Sequence, residues 1–262
     1  MASLLEIKGA TKGFVLEDGG SFTAVSGVDF FVQKGEFVSI VGPSGCGKTT
    51  ILRLIVGIET LEHGEILLRD RPISGAGLER GIVFQDHRLL PWLTLKENVE
   101  IALLNAPKSR EEKASAVREH IDLVGLSGFE KSYPHQLSGG MTQRAAIARG
   151  LVNNPEILAL DEPFGALDAI TKMRLQEELK RIWVAEKTTM VLVTHDVEEA
   201  VFLSDRILVM DSNPGRIVRE IAVPLGEPRD RAGANFAQVK RCVFEALRDS
   251  SLITRTQEYY EI

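Results

Sequence analysis

The stretch EFVSIVGPSGCGKTT, residues 36–50, decides how the rest of the chain is read. Its first part, EFVSIV, has the length and composition of a buried strand that follows a turn at Gly35. Its second part fits G-x-x-x-x-G-K-[ST], placed between that strand and a helical run that ends near Gly57. Gly42, Gly45 and Gly47 let backbone amides approach oxygen atoms closely, and the N-terminus of the helix that follows favours negative charge. On this reading Gly42, Pro43, Ser44, Gly45, Cys46, Gly47, Lys48, Thr49 and Thr50 form a nucleotide-binding loop. Lys48 reaches the β- and γ-phosphates, and Thr49 offers its hydroxyl to Mg2+. Cys46 is read as a tolerated small residue of the loop, not as a redox centre.

Outward from this loop the pattern is strand, then helix. LLEI, FTAV and VDFFV precede it as strands; EILL at 65–68 and GIVF at 81–84 follow. From Lys96 to about Val152 the pattern is helical. It is clearest at Ser109, where a capping box with Glu112 precedes apolar Ala114, Val117, Ile121 and Val124, and Gly125 closes the helix. After the stop signal Asn153-Asn154-Pro155 the alternation resumes with EILALDE, a helix from about Ala169, MVLVTHD, a short helix from Asp196, and ILVM. A hairpin around Asn213-Pro214-Gly215 and an amphipathic helix from about Phe236 to Leu247 end the chain. Strands alternating with helices imply parallel pairing and an α/β fold, here with a helical insertion.

Composition narrows the function. Over 262 residues a hydrophobic content of 44% builds one folded unit with a lobe. The 31 basic against 37 acidic residues, a net charge of −6, argue against a nucleic-acid partner. Two cysteines, Cys46 and Cys242, and no cleavable leader fit a reducing cytosol. The longest apolar runs, such as MVLV at 190–193, are of strand length, far below the ~18 residues of a membrane span. Any membrane role is therefore peripheral, and the tail to Ile262 leaves no room for a sizeable regulatory domain.

Phosphate chemistry also needs a metal-holding carboxylate at the end of a buried strand, and Ile157-Leu158-Ala159-Leu160-Asp161 supplies one. Asp161 holds Mg2+ directly or through water, and Glu162 beside it is the general base for the attacking water. His195 follows the strand MVLVT, at the strand end where α/β proteins bind ligands, and is placed to hold the γ-phosphate and that water. Gln85, after GIVF, occupies an equivalent end and senses Mg2+ and water. A second anion cradle stands at 137–144, LSGGMTQR, where Ser138 caps a helix beginning near Gly139 and Gly140. The helical insertion separates this cradle from the nucleotide of its own chain.

GPSGCGKTT, Gln85, LSGG at 137–140, LALDEP at 158–163, ALD at 166–168 and His195 stand in the order and approximate spacing of the ATP-binding cassette superfamily, which the chain resembles over essentially residues 4–215. The resemblance implies a P-loop NTPase α/β fold as a single domain over 1–262. Its RecA-like core, mainly parallel, spans 4–85 and 153–215 with an N-terminal antiparallel β subdomain; about 86–152 is a helical subdomain and 216–262 a short tail. It implies a head-to-tail homodimer around two ATP, each Ser138-Gly139-Gly140 cradle serving the nucleotide of the partner copy. Phe14 matches the position that stacks on adenine, and Asp168 the loop that faces the other copy. The usual LSGGQ has Met141 in its fifth place, and Thr142 stands where a basic residue is frequent.

DHRLLPWLTLKENV at 86–99, HDVEEAVFLSDRILVM at 195–210 and NPGRI at 213–217 resemble the ATPase subunits of bacterial nitrate, sulfonate and taurine importers. That implies two integral membrane permease subunits as partners, a solute-binding protein feeding them, and a place on the cytoplasmic face of the plasma membrane. Leu89, Leu90 and Trp92 either receive a helix of the permease or pack the helical lobe. The alternative is a soluble cassette protein acting on ribosomes or DNA; the single cassette and the acidity weigh against it. The solute itself cannot be read, since it never touches this chain.

Overall fold

The computed structural model describes the backbone of residues 3–16 and 19–258, and side chains as far as residue 249. The last four residues of the expected tail, 259–262, lie outside the described residues. The chain forms two compact units, one from residues up to Ala76 together with Val191 onward, the other Gly77–Met190.

In the first unit, β1 (Ser3–Val15) and β2 (Ser21–Gln33) pair antiparallel and are extended by β4 (His63–Leu68) and β5 (Arg71–Pro72) in the order β2-β1-β4-β5. FTAV and VDFFV, expected as separate strands, are one strand. Gly9, φ 58, bulges β1 opposite Asp29, and Gly27, φ 60, bulges β2 opposite Thr11, so the ladder shifts register at both places without breaking. Two side chains secure the irregularity: Asp29 accepts from the Gly9 amide at 2.7 Å, and Thr11 from the Gly27 amide at 3.0 Å. A second sheet runs β10 (Arg216–Ala222), β9 (Arg206–Asp211), β3 (Phe37–Val41), β8 (Thr189–Thr194). Strand β3 is buried along its whole length and pairs in parallel with β9, while β10 returns antiparallel around the expected turn. Helix α1 (Lys48–Val56) ends, as expected, at Gly57, whose left-handed φ of 77 lets its amide reach the carbonyls of Arg53 and Leu54.

The second unit carries β6 (Arg80–Val83) and β7 (Ile157–Asp161), parallel and in register from Arg80↔Ile157 to Val83↔Leu160. Around them lie α2 (Leu95–Glu100), α3 (Arg110–Leu123), α4 (Gly139–Leu151) and α5 (Ala169–Glu186). The Ser109 capping box forms: the Ser109 amide donates to Glu112 Oε2 at 2.6 Å and the Glu112 amide to Ser109 Oγ at 3.2 Å. A second box, Thr94 with Glu97, starts α2 one residue before the expected Lys96. The buried face of α3 is not the expected one throughout. Ala114 is exposed and His120 is buried, its Nδ1 donating to the Ala116 carbonyl at 2.8 Å, which lets an imidazole line the core with one nitrogen satisfied.

In the first unit the C-terminal segment is fastened to α6 (Val197–Leu203), the helix that starts two residues after His195. The Arg229 side chain, 2% exposed, donates to the carbonyls of Val201, Phe202 and Ser204 at 2.7, 3.1 and 2.7 Å, where the helix would otherwise leave acceptors unpaired. Burial pushes its pKa down, and Glu227 and Asp205 partly counter this. Arg231 lies over the Phe202 ring at 3.7 Å, and Arg231 and Lys240 both reach Glu198. The final helix, α7 (Ala234–Glu258), begins two residues before the expected Phe236 and runs beyond Leu247.

Replacing Arg229 by Ala uncovers those three carbonyls. The loss of charge-assisted bonds is expected to cost about 2–4 kcal/mol in urea denaturation. Arg241→Ala, on a side chain 73% exposed, should stay within about 0.5 kcal/mol.

Candidate functional site

The loop between β3 and α1 is shaped by close backbone approaches. A Cβ at Gly42 would strike the Met210 carbonyl and Cys46 Sγ, and one at Gly47, φ 91, would strike Ala24 O and the Val25 side chain. Only glycine fits either place. The outer wall is a contact that sequence reasoning missed. Gly215, in the Asn213-Pro214-Gly215 turn, exchanges backbone bonds with β2, its amide donating to Ala24 O and its carbonyl accepting from Ser26, both at 3.0 Å. A Cβ at Gly215 would collide with the Cys46 carbonyl. The signal was present as the N-P-G turn, but nothing in the sequence says that a turn 170 residues away leans on this loop.

Inside the loop, the Lys48 side chain folds back. Its Nζ donates to Gly42 O at 2.9 Å and to Pro43 O at 2.8 Å and lies 3.8 Å from Cys46 Sγ. Lys48 is 5% exposed, and among the described residues no carboxylate lies within ion-pair distance of it. Helix α1 starts at Gly47 without a side-chain cap and without an acidic residue in its first turn. A buried cation, uncapped helix amides and a glycine-lined concavity together fit an anion. Pro43, Ser44 and Gly45 form the open rim, Thr49 and Thr50 are half-buried, and Cys46 is buried. Burial pushes the Cys46 thiol up, with Lys48 opposing, so it stays protonated as a small packed residue.

Phe14 lies on β1 opposite Phe22, half-buried, with Lys12 Nζ 5.1 Å from its ring centre. It is a strand-end aromatic at the surface, not a core residue. His195 is exposed directly after β8, and its neighbours are tightly tied. Thr194 Oγ1 donates to buried Glu199 at 2.6 Å and accepts from the Asp196 amide at 3.0 Å, while Asp196 caps α6 through the Glu198 and Glu199 amides.

In the second unit the register of β6 with β7 brings the expected residues to one edge. Asp161 ends β7, 8% exposed. Glu162 follows at φ 44, a left-handed conformation uncommon outside glycine, which turns the chain sharply as it leaves the strand. Gln85 Nε2 and Glu162 Oε2 each lie 3.9 Å from the Cβ position of Gly165, so the two side chains flank one small residue.

Ser138 caps α4 as read from the sequence, its Oγ accepting from the Met141 amide at 3.4 Å. Ser138 and Gly139 are exposed, Gly140 is half-buried against Thr171, and no acidic residue sits in the first turn. Asp168, expected on a loop facing another copy, caps α5: Oδ1 accepts from Ile170 and Thr171 at 3.2 and 3.1 Å. A hydrogen bond with the Thr171 side chain first, then these amide bonds, hold its pKa down. Of the named residues, the loop 42–50, Phe14 and His195 belong to the first unit, and Gln85, Ser138–Gly140, Asp161, Glu162 and Asp168 to the second.

Two further residues organise the segment after Gln85 and escaped sequence reading. Buried Asn98 accepts from the Leu90 amide at 2.7 Å and donates to the carbonyls of Leu90, Leu93 and Thr94. Arg149 holds the carbonyls of His87 and Arg88. With this segment fixed, Leu89 and Leu90 are half-buried and Trp92 stands 69% exposed. A lone Asn and a lone Arg in helical runs carry no pattern that separates them from solvated residues.

Comparison with known proteins agrees with this geometry. Residues 25–165 match the family model described as ABC transporter. The chain is 44% identical over 234 residues to the aliphatic sulfonates import ATP-binding protein of Bacillus thuringiensis subsp. konkukian, covering 89% of this chain and 92% of that one. Among solved structures it resembles the dimeric ATP-binding cassette MJ0796 bound to ADP and Pi, with TM-score 0.73 and 34% identity over 84% of this chain and 98% of that one. It also resembles cbiO1 of Clostridium perfringens, part of the ABC transporter complex cbiONQ, with TM-score 0.76 and 25% identity over the whole of both chains. With its glycine-built anion loop, its capped LSGG helix and these relatives, the chain belongs to the ABC transporter family and is an ATP-binding cassette ATPase.

Proposed function

We propose that this chain is the ATP-hydrolysing subunit of an importer for a small anionic solute, with an alkanesulfonate first, taurine and nitrate next. The observation that carries the ATPase part is the Lys48 ammonium, buried among the carbonyls of its own loop with no carboxylate partner among the described residues. The sulfonate part rests on the import protein to which the chain is 44% identical.

In this reading Lys48 and the loop amides hold the β- and γ-phosphates of ATP, and Phe14 stacks on adenine. Mg2+, when bound, neutralises charge on the phosphate oxygens. The oxygens of Thr49, Asp161 and Gln85 are the hard donors such an ion takes. Glu162 accepts the proton of the attacking water, and His195 holds that water against the γ-phosphate. The exposed N-terminus of α4, with Ser138, Gly139 and Gly140, serves the nucleotide of a second copy, and Asp168 faces that copy. The dimeric state of the MJ0796 cassette supports this arrangement. The complex that contains cbiO1 supports a membrane assembly: two permease subunits, one on each Trp92 surface, fed by a solute-binding protein, with this chain peripheral on the cytoplasmic face. No described helix is long and apolar enough to cross a membrane.

Glu162→Gln should lower hydrolysis by about 10²-fold or more while leaving ATP binding intact. Its dimer should then appear on size exclusion with ATP and Mg2+, and wild type should remain mostly monomeric. A variant that stays monomeric at millimolar ATP, alone and with its permease, sinks the sandwich. For the solute, a strain lacking this chain is grown on an alkanesulfonate, taurine or sulfate as sole sulfur source, or nitrate as sole nitrogen source. Selective loss on the alkanesulfonate, restored by wild type but not by Lys48→Ala, is the expected result; loss on another source, or on none, rejects the assignment.

A further inference from the structure

The segment that carries Gln85 leaves β6 and folds back on itself before entering the Leu89–Thr94 stretch. Arg88 adopts φ 48, and its guanidinium lies over the Phe84 ring at 4.0 Å, so residues 84 and 88 close a tight loop with Gln85 on it. That loop is held from outside by Arg149, in the last turn of α4. Nη1 donates to Arg88 O at 2.6 Å and Nη2 to His87 O at 2.7 Å. Among the described residues Arg149 has no carboxylate partner, and burial pushes its pKa down without an opposing anion. An arginine that directs both arms to consecutive carbonyls is placed for its fork geometry, which lysine cannot reproduce. Charge neutralisation is not its role. Asn98 secures the stretch from Leu90 to Thr94, so Arg149 is the clamp on the carbonyls just before it, those of His87 and Arg88.

We propose that Arg149 is a positioning residue for the hydrolysis reaction: by clamping the carbonyls of His87 and Arg88 it holds Gln85 beside Glu162. The inference rests on the ATPase role argued above. Arg149 touches neither Gln85 nor any residue assigned to phosphate or metal in the bonds described, so its effect on the reaction passes through the loop.

The test is a double-mutant cycle on the full chain with Gln85→Ala, read as steady-state ATP hydrolysis, together with amide hydrogen exchange of residues 85–88. Arg149→Lys should lower kcat by roughly tenfold, leave KM for ATP within about twofold, and raise exchange at 85–88 by roughly tenfold while α3 is unchanged. In the Gln85→Ala background the same change should cost less than about twofold. Full multiplication of the two losses, or unchanged kcat with unchanged exchange, overturns the proposal. If Arg149→Lys does not fold, Arg88→Gly, which releases the stack on Phe84 and loosens the same loop, must show the same loss of kcat and the same non-additivity; its failure to do so also overturns the proposal. Absence of Lys48-dependent hydrolysis in wild type would instead reject the ATPase role itself, a separate and distinguishable result.

Discussion

Everything in the first unit is arranged around one uncomfortable charge. The Lys48 ammonium is out of water and, among the described residues, is met by neutral groups, the carbonyls of Gly42 and Pro43 and the Cys46 thiol, an arrangement that is unfavourable unless an anion completes it. The loop cannot relax away from it. Gly42 is pressed to Met210, Gly47 to Ala24, and Gly215 closes the outside, so β2, β9 and the turn after β9 all wall in the same few ångströms. Such a site is stabilised by whatever negative ligand it binds, because the ligand favours the folded state by mass action. The glycines are therefore not flexibility but close packing, and the rigidity is what keeps amides and ammonium aimed at one point.

The second unit stores its tension differently. Glu162 sits in a left-handed conformation directly after the buried end of β7, which redirects the chain so that its carboxylate and the amide of Gln85 flank Gly165. Strain of this kind persists only where surrounding structure over-determines it. Here β7 is buried along its length and the Gly165 amide donates back to the Glu162 carbonyl at 3.2 Å. The same economy appears at Asp168. One carboxylate ends the loop, caps α5, and stays exposed for whatever approaches that face.

How much of this was legible in the sequence follows from how local each feature is. The P-loop, the Ser109 box, the Ser138 and Asp196 caps and the turn at Gly57 are written within a few consecutive residues, and each forms where the pattern places it. The second capping box, Thr94 with Glu97, was equally local but hidden inside an apolar stretch read for its side chains. The continuity of β2 was missed because a bulge at Gly27 looks in one dimension like a turn. Asn98, Arg149, Arg229 and Gly215 were out of reach for another reason: each works through main-chain atoms, those of Arg149, Arg229 and Gly215 far away in the chain, and main-chain atoms leave no mark in a sequence.

The division of the first unit into two stretches of chain has a bearing on how the protein is made. Strand β3 pairs with β9, the Phe37 amide donates to Asp205 at 3.1 Å, and Ser39 meets Ser204, partners some 165–168 positions later in the chain. The second unit is continuous, Gly77–Met190, and emerges complete while β3 still has no β9 beside it. During synthesis at about 5–20 residues per second, a strand that the fold buries along its whole length thus waits on the order of ten seconds with open edges. For this chain, the window of greatest aggregation risk is set by the order of its elements and closes only when β9 leaves the ribosome.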